Sequence, residues 1–226
     1  IVSLYTTRIL YNEMGAVDYG IFGLILGITT LVNIFTNSFN NSFQRFFNIN
    51  YQCDTTTEKI YLNSIVLSFI FAFIIIFLLF ALDVYLIEKL NIPPNRLESA
   101  KYFSYLCIAN IFFSILKIPF ISYLSASLKI NLIVISSIVE TLLKLIFTII
   151  LIYISYDNLV VYGFFILVVT IIILLINYFL VKKFISLNFE RLDRDIIIDL
   201  FKFSLTNSVG NFTPIVNQQA LSVEVN

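Results

Sequence analysis

The sequence predicts an all-α fold, a polytopic bundle of membrane-spanning helices. The runs Ile21–Phe39, Leu62–Ile87, Phe103–Ala126, Leu132–Tyr156 and Leu159–Val181 are almost wholly apolar, with short polar breaks between them. Each supplies the roughly 20 residues that a helix needs to cross a bilayer core at about 1.5 Å rise per residue. Hydrophobic residues make up 59% and charged residues 12%, about half the charge of a soluble globular domain. Mean hydropathy is +0.95. In hydrocarbon a backbone must satisfy its own hydrogen bonds, so repeated runs of this kind form spanning helices.

Ile1–Leu10 reads as the tail of a helix that starts earlier, because the chain opens at Ile1 without a methionine. No charged n-region with a small-residue cleavage site follows, so a signal peptide is not supported. The break Arg8–Asp18 contains Gly15 and precedes the first whole run. Arg45–Lys59 is a polar break. Asp83–Lys101 is longer, of mixed charge, and holds Pro93–Pro94, which stop a helix. Ser127–Asn131 is minimal, and Asp157–Asn158 is a tight helix hairpin. Lys182–Asp195 is charged and is expected as an amphipathic surface stretch. Ile196–Leu205 opens a further apolar stretch that turns polar through Asn207, Asn211, Asn217, Gln218 and Gln219.

Basic residues set the expected orientation. One side holds Arg45, Lys59, Lys129, Lys182, Lys183, Arg191, Arg194 and Lys202, and the other holds Arg8, Lys89, Arg96 and Lys101. The larger set is expected to be cytoplasmic, with the N-terminus on that side and the Asp157 hairpin facing outward. Net charge is zero, so nothing points to nucleic acid. Histidine is absent, which removes the commonest proton shuttle and metal ligand. Cys53 lies in a polar break and Cys107 in an apolar run, an arrangement that favours neither a disulfide nor a metal site. No nucleotide loop, paired acidic metal motif or nucleophile site is present. Transport or lipid handling therefore fits better than catalysis, and no cofactor is expected.

Ionisable groups inside spans are costly and mark function. Lys117, Glu140 and Lys144 fall near the middle of predicted spans. Glu140 and Lys144 are four apart, share a helix face and have the glutamate on the favourable side. They are either a self-compensating ion pair or part of a wet cavity wall, and the cavity is preferred. The span Phe103–Ala126 holds no acidic residue, so Lys117 must face Glu140, water or an anionic ligand. Asn33, Asn37, Asn40, Asn41 and Gln44 recur at helical spacing with Arg45 after them. That stripe is either interhelical hydrogen-bond glue or a cavity wall offering amides to a sugar or phosphate. Pro119 is expected to bend its span just after Lys117.

Two segments carry a resemblance. Thr7-Arg8-Ile9-Leu10 followed by Met14-Gly15-Ala16-Val17-Asp18-Tyr19-Gly20-Ile21-Phe22 resembles the N-terminal signature of Wzx-type polysaccharide flippases, with Met14 in place of the usual leucine. Pro119, then Leu124-Ser125-Ala126 with Lys129, then Glu140 with Lys144-Leu145, is similar to that family's fourth and fifth helices. The resemblance implies the multidrug/oligosaccharidyl-lipid/polysaccharide export superfamily, whose members have twelve to fourteen helices in two lobes. Residues 1–195 would then be the first six-helix lobe and residues 196–226 the start of the second. The implied function is alternating-access flipping of undecaprenyl-pyrophosphate-linked oligosaccharide across the bacterial inner membrane. Its partners would be the bilayer, the lipid-linked glycan and the polysaccharide assembly machinery. The coupling ion is left open. Lys117, Lys144 and Arg45, offset only by Glu140, would make the cavity net positive for pyrophosphate. Asn33, Asn37, Asn41 and Gln44 would meet sugar hydroxyls. A drug or cation exporter of the same superfamily is the alternative and predicts an acidic cavity. A membrane-embedded glycan polymerase or ligase would need a large outer loop, which Asp83–Lys101 is too short to provide.

Overall fold

The computed structural model describes the backbone of residues 2–50, 54–89, 92–154, 156–185 and 192–224. The chain runs through α1 (Val2–Asn50), α2 (Asp54–Lys89), a 3-10 turn (Pro94–Arg96), α3 (Leu97–Leu116), α4 (Ile118–Ala126), α5 (Ile130–Leu151), α6 (Asn158–Lys182) and α7 (Arg194–Glu224). Among the described residues, five segments are long and apolar enough to cross a membrane, and each overlaps one of the five apolar runs. The chain is an all-α, multi-pass membrane protein.

Breaks in the backbone have local causes. α1 is two helices joined at Gly15, whose φ of 73° and ψ of 172° suit a residue without a Cβ. α3 and α4 form one span interrupted at Lys117. Pro119 has no N–H to offer the Ile115 carbonyl, so the ladder skips there and resumes with Ile121 N–H donating to Lys117 O at 3.3 Å. The α4–α5 turn is closed by Lys129 N–H to Leu124 O at 2.9 Å and Leu128 N–H to Ser125 O at 3.1 Å. This helix-terminating pair places its central residue in the left-handed region. Here that residue is an exposed leucine, Leu128, at φ 55°.

Three breaks differ from expectation. The Arg45–Lys59 break is mostly helix, because α1 continues to Asn50 and α2 begins at Asp54. Asp83–Lys101 is likewise narrower, with α2 extending to Lys89. Polarity marks where the bilayer core ends, whereas a helix can continue into water while its residues still favour helix. In the other direction, α5 stops at Leu151 rather than Tyr156. Tyr153 and Tyr156 lie beyond it, strongly exposed, as befits rings at a membrane interface. Cys53 and residues 186–191 of the charged stretch lie outside the described residues.

Large aromatic side chains make the core. Phe39, Phe43 and Phe47 on α1, Tyr61 on α2 and Phe103 on α3 are essentially inaccessible. Phe39 stacks on Phe71 of α2 with ring centroids 4.0 Å apart. At the other end Phe22 meets Phe103 and Tyr162. Close approach of α3 and α6 depends on Gly163, where a Cβ would lie 2.7 Å from the Phe103 ring.

Candidate functional site

Lys117 sits at the α3–α4 interruption created by Pro119, and Glu140 and Lys144 sit one turn apart in the middle of α5. Lys144 Nζ donates to Glu140 Oε1 at 2.7 Å, and Lys117 Nζ donates to Glu140 Oε2 at 3.4 Å. One carboxylate therefore bridges two ammonium groups from two spans, and the cluster carries one excess positive charge. Side-chain exposure rises outward: 18% for Lys117, 24% for Glu140 and 42% for Lys144. Of the three alternatives open to Lys117 (Glu140, water or an anionic ligand), this arrangement has the contact with Glu140. A partly exposed, net cationic group can receive an anion, which would replace part of the lysines' contact with Glu140.

The asparagine stripe divides. Ser122 Oγ donates to Asn40 Oδ1 at 2.7 Å, and Gln44 Nε2 donates to Ser125 Oγ at 2.7 Å, so Asn40 and Gln44 fasten α1 to α4. Asn33, Asn37 and Asn41 lie on the exposed side of α1. Arg45 is not gathered with the two lysines. Its guanidinium lies 4.6 Å over the Phe203 ring of α7, close to the α1 terminus.

A second charged cluster was not singled out by sequence reasoning. Arg96, at the end of the 3-10 turn, donates from Nε and Nη2 to both oxygens of Asp18 on α1 and from Nη1 to Asp157 Oδ2 at 3.0 Å. Asp18 is buried. Ser99 Oγ donates to Asp157 Oδ2 at 2.5 Å. Asp157 also caps α6 by accepting from Leu159 N–H at 3.2 Å. Burial pushes the Asp157 carboxyl up, but the Ser99 hydrogen bond and the Arg96 charge outweigh it and hold the group below the usual carboxylate range. Asn158 Nδ2 adds a bond to Glu13 O at 2.8 Å. These contacts tie the breaks around residues 13–18, 96 and 157 together at one end of the bundle. Asp193 N–H donates to Asn63 Oδ1 at 3.1 Å, and Lys129 Nζ lies 2.9 Å over the Phe184 ring, joining the alternate set of breaks. The alternation of ends read from the sequence therefore holds.

The model of one protein family, described as polysaccharide biosynthesis protein, matches residues 1–221. The chain belongs to that family. No curated protein sequence matches it closely enough to count as a relative. Among solved structures, the fold is similar to a MOP superfamily transporter from Pyrococcus furiosus with a binding pocket of reverse polarity that suggests a different function. That match has a TM-score of 0.79 and 16% identity, and covers 93% of this chain and 49% of the other. It is also similar to the outward-facing conformation of a multidrug resistance MATE family transporter of the MOP superfamily, with a TM-score of 0.79, 17% identity and the same two coverages of 93% and 49%. A MATE protein in complex with MaL6 gives a TM-score of 0.80 at 15% identity, again over 93% of this chain and 49% of that one. The family member described here thus shares the fold of these chains and spans about half their length.

Proposed function

We propose that this chain supplies one lobe of a flippase that moves undecaprenyl-pyrophosphate-linked oligosaccharide across the bacterial inner membrane by alternating access. In this reading residues 1–195 are the N-terminal lobe, residues 196–226 begin the second, and no catalytic step is involved. The N-terminus is cytoplasmic, which puts the Asp18–Arg96–Asp157 end outside. The lipid tail stays in the bilayer while the pyrophosphate meets Lys117 and Lys144 and the glycan meets Asn33, Asn37 and Asn41. Gln44 supports that wall by holding α1 to α4, and Arg45 contributes at the cytoplasmic mouth. The observation that carries the reading is the excess positive charge of the Lys117–Glu140–Lys144 cluster. A drug or cation exporter sharing this fold would need the opposite sign at that depth.

Complementation of a flippase-null strain with the full-length gene tests the proposal. Lys117→Arg should retain some surface polysaccharide, whereas Lys117→Ala and Lys117→Glu should abolish it with membrane protein levels unchanged. Normal surface polysaccharide from Lys117→Glu would overturn the assignment of this lysine to the phosphate.

A further inference from the structure

We infer that the flank of α3 and α6 near the Asp18–Arg96–Asp157 cluster is a binding site for a phospholipid with a primary-ammonium headgroup. A groove of about 460 Å³ is walled by Tyr102, Tyr105 and Leu106 of α3 and by Val160, Val161 and Phe164 of α6. A second cavity of about 310 Å³ shares Tyr102, Val160 and Val161 with it and ends at Glu98, Ser99, Tyr156 and Asp157. The two therefore adjoin as one open surface groove, apolar along its length and carboxylate-lined at its mouth. A third groove of about 380 Å³ lies against α2 and shares Tyr105, so the ridge at Tyr105 separates two apolar tracks. Both volumes beside Tyr105 fall in the ordinary range for ligand sites of about 300–1,000 Å³.

The shape and charge of this surface select the occupant. Spanning helices face lipid, so the apolar tracks take acyl chains, one on each side of Tyr105. The mouth carries Glu98 and Asp157; Arg96 already pairs with Asp157 and Asp18, and the four groups together leave two excess negative charges. A primary ammonium offers three donors, as a lysine side chain does. It can meet these carboxylates while the exposed Tyr102 and Tyr156 rings stand beside it. An anionic headgroup would instead face two carboxylates. Ser99 and Arg96 hold the Asp157 carboxyl below the usual carboxylate range, and Glu98 is exposed at the first turn of α3. Gly163 fixes the floor by letting Phe103 and Leu106 approach α6. None of these residues belongs to the Lys117–Glu140–Lys144 cluster, so the site stands independently of the transported substrate.

Native mass spectrometry of the purified full-length protein decides the matter. It would be offered equal amounts of ethanolamine-, choline- and glycerol-headed phospholipids with identical acyl chains. The wild type should retain the ethanolamine lipid about fivefold over the glycerol lipid, the size expected of one partly exposed charge contact. Glu98→Gln should bring that preference close to parity, and Val161→Trp should fill the groove and lower retention of all three. Equal retention of the three lipids by the wild type would overturn the site, as would full ethanolamine preference in Glu98→Gln. If Val161→Trp fails to fold, Glu98→Gln at an exposed position still decides. A rise in the wild-type melting temperature with ethanolamine lipid alone gives a second reading of the same outcome.

Discussion

Glu140→Gln keeps the shape of the side chain and removes the one negative charge between Lys117 and Lys144. Distance alone makes Lys144 the stronger partner. At an effective dielectric of about 20, raw attraction at its 2.7 Å is about 6 kcal/mol, against about 5 kcal/mol for Lys117 at 3.4 Å. Exposure reverses that order if the cluster borders water. Lys144 is 42% exposed and pairs within one helix, so its coupling to Glu140 should be about 0.3–0.5 kcal/mol. Lys117 is 18% exposed and pairs across two spans. Breaking a fully buried pair costs about 3–5 kcal/mol, so this partly enclosed one should couple at about 1–2 kcal/mol. The assay is a pair of double-mutant cycles using Lys117→Met, Lys144→Met and Glu140→Gln in the full-length protein. Unfolding would be followed by denaturant titration in mixed micelles. A Lys144 coupling larger than the Lys117 coupling would show that Lys144 faces hydrocarbon, and the cavity reading of the cluster would fall with it.

Acid should weaken the Arg96 cluster in a defined window. The Asp157 pKa is depressed, so its contribution is complete above about pH 4, the unfolded value, and is lost as pH falls through the lower folded value. The melting difference between wild type and Asp157→Asn should be flat at neutral pH and shrink below about pH 4; a constant difference down to acid pH would contradict this. Gly163→Ala sets a Cβ 2.7 Å from the fully buried Phe103 ring and should cost about 1–3 kcal/mol, measured by the same titration. Leu128→Gly relieves a side chain at φ 55° and should stabilise by about 1 kcal/mol; unchanged or lower stability would show that the turn is not strained.

Spans were legible in this sequence because exclusion from water is a property of a whole run, and a run is local. Helix ends were less legible, since Arg45 and Asp83 signal the edge of the bilayer core while the helix continues past them. The Lys117–Glu140 contact could be anticipated by accounting for charge: an unpaired cation at that depth costs about 2.5–3.5 kcal/mol, and Glu140 was the nearest intramembrane acid. The asparagine stripe was half legible. Spacing of three and four gathers residues on one side of a helix, but it cannot separate Asn40 and Gln44, which face α4, from Asn33, Asn37 and Asn41, which do not. The Asp18–Arg96–Asp157 cluster was beyond local reading, because its members come from three separate breaks, 61 and 78 residues apart along the chain. Counting Arg96 as an orientation charge identified its end of the bundle without its partners. Charges inside spans advertise themselves by their cost, whereas charges at span ends cost little in isolation and reveal a pairing only when the fold brings the ends together.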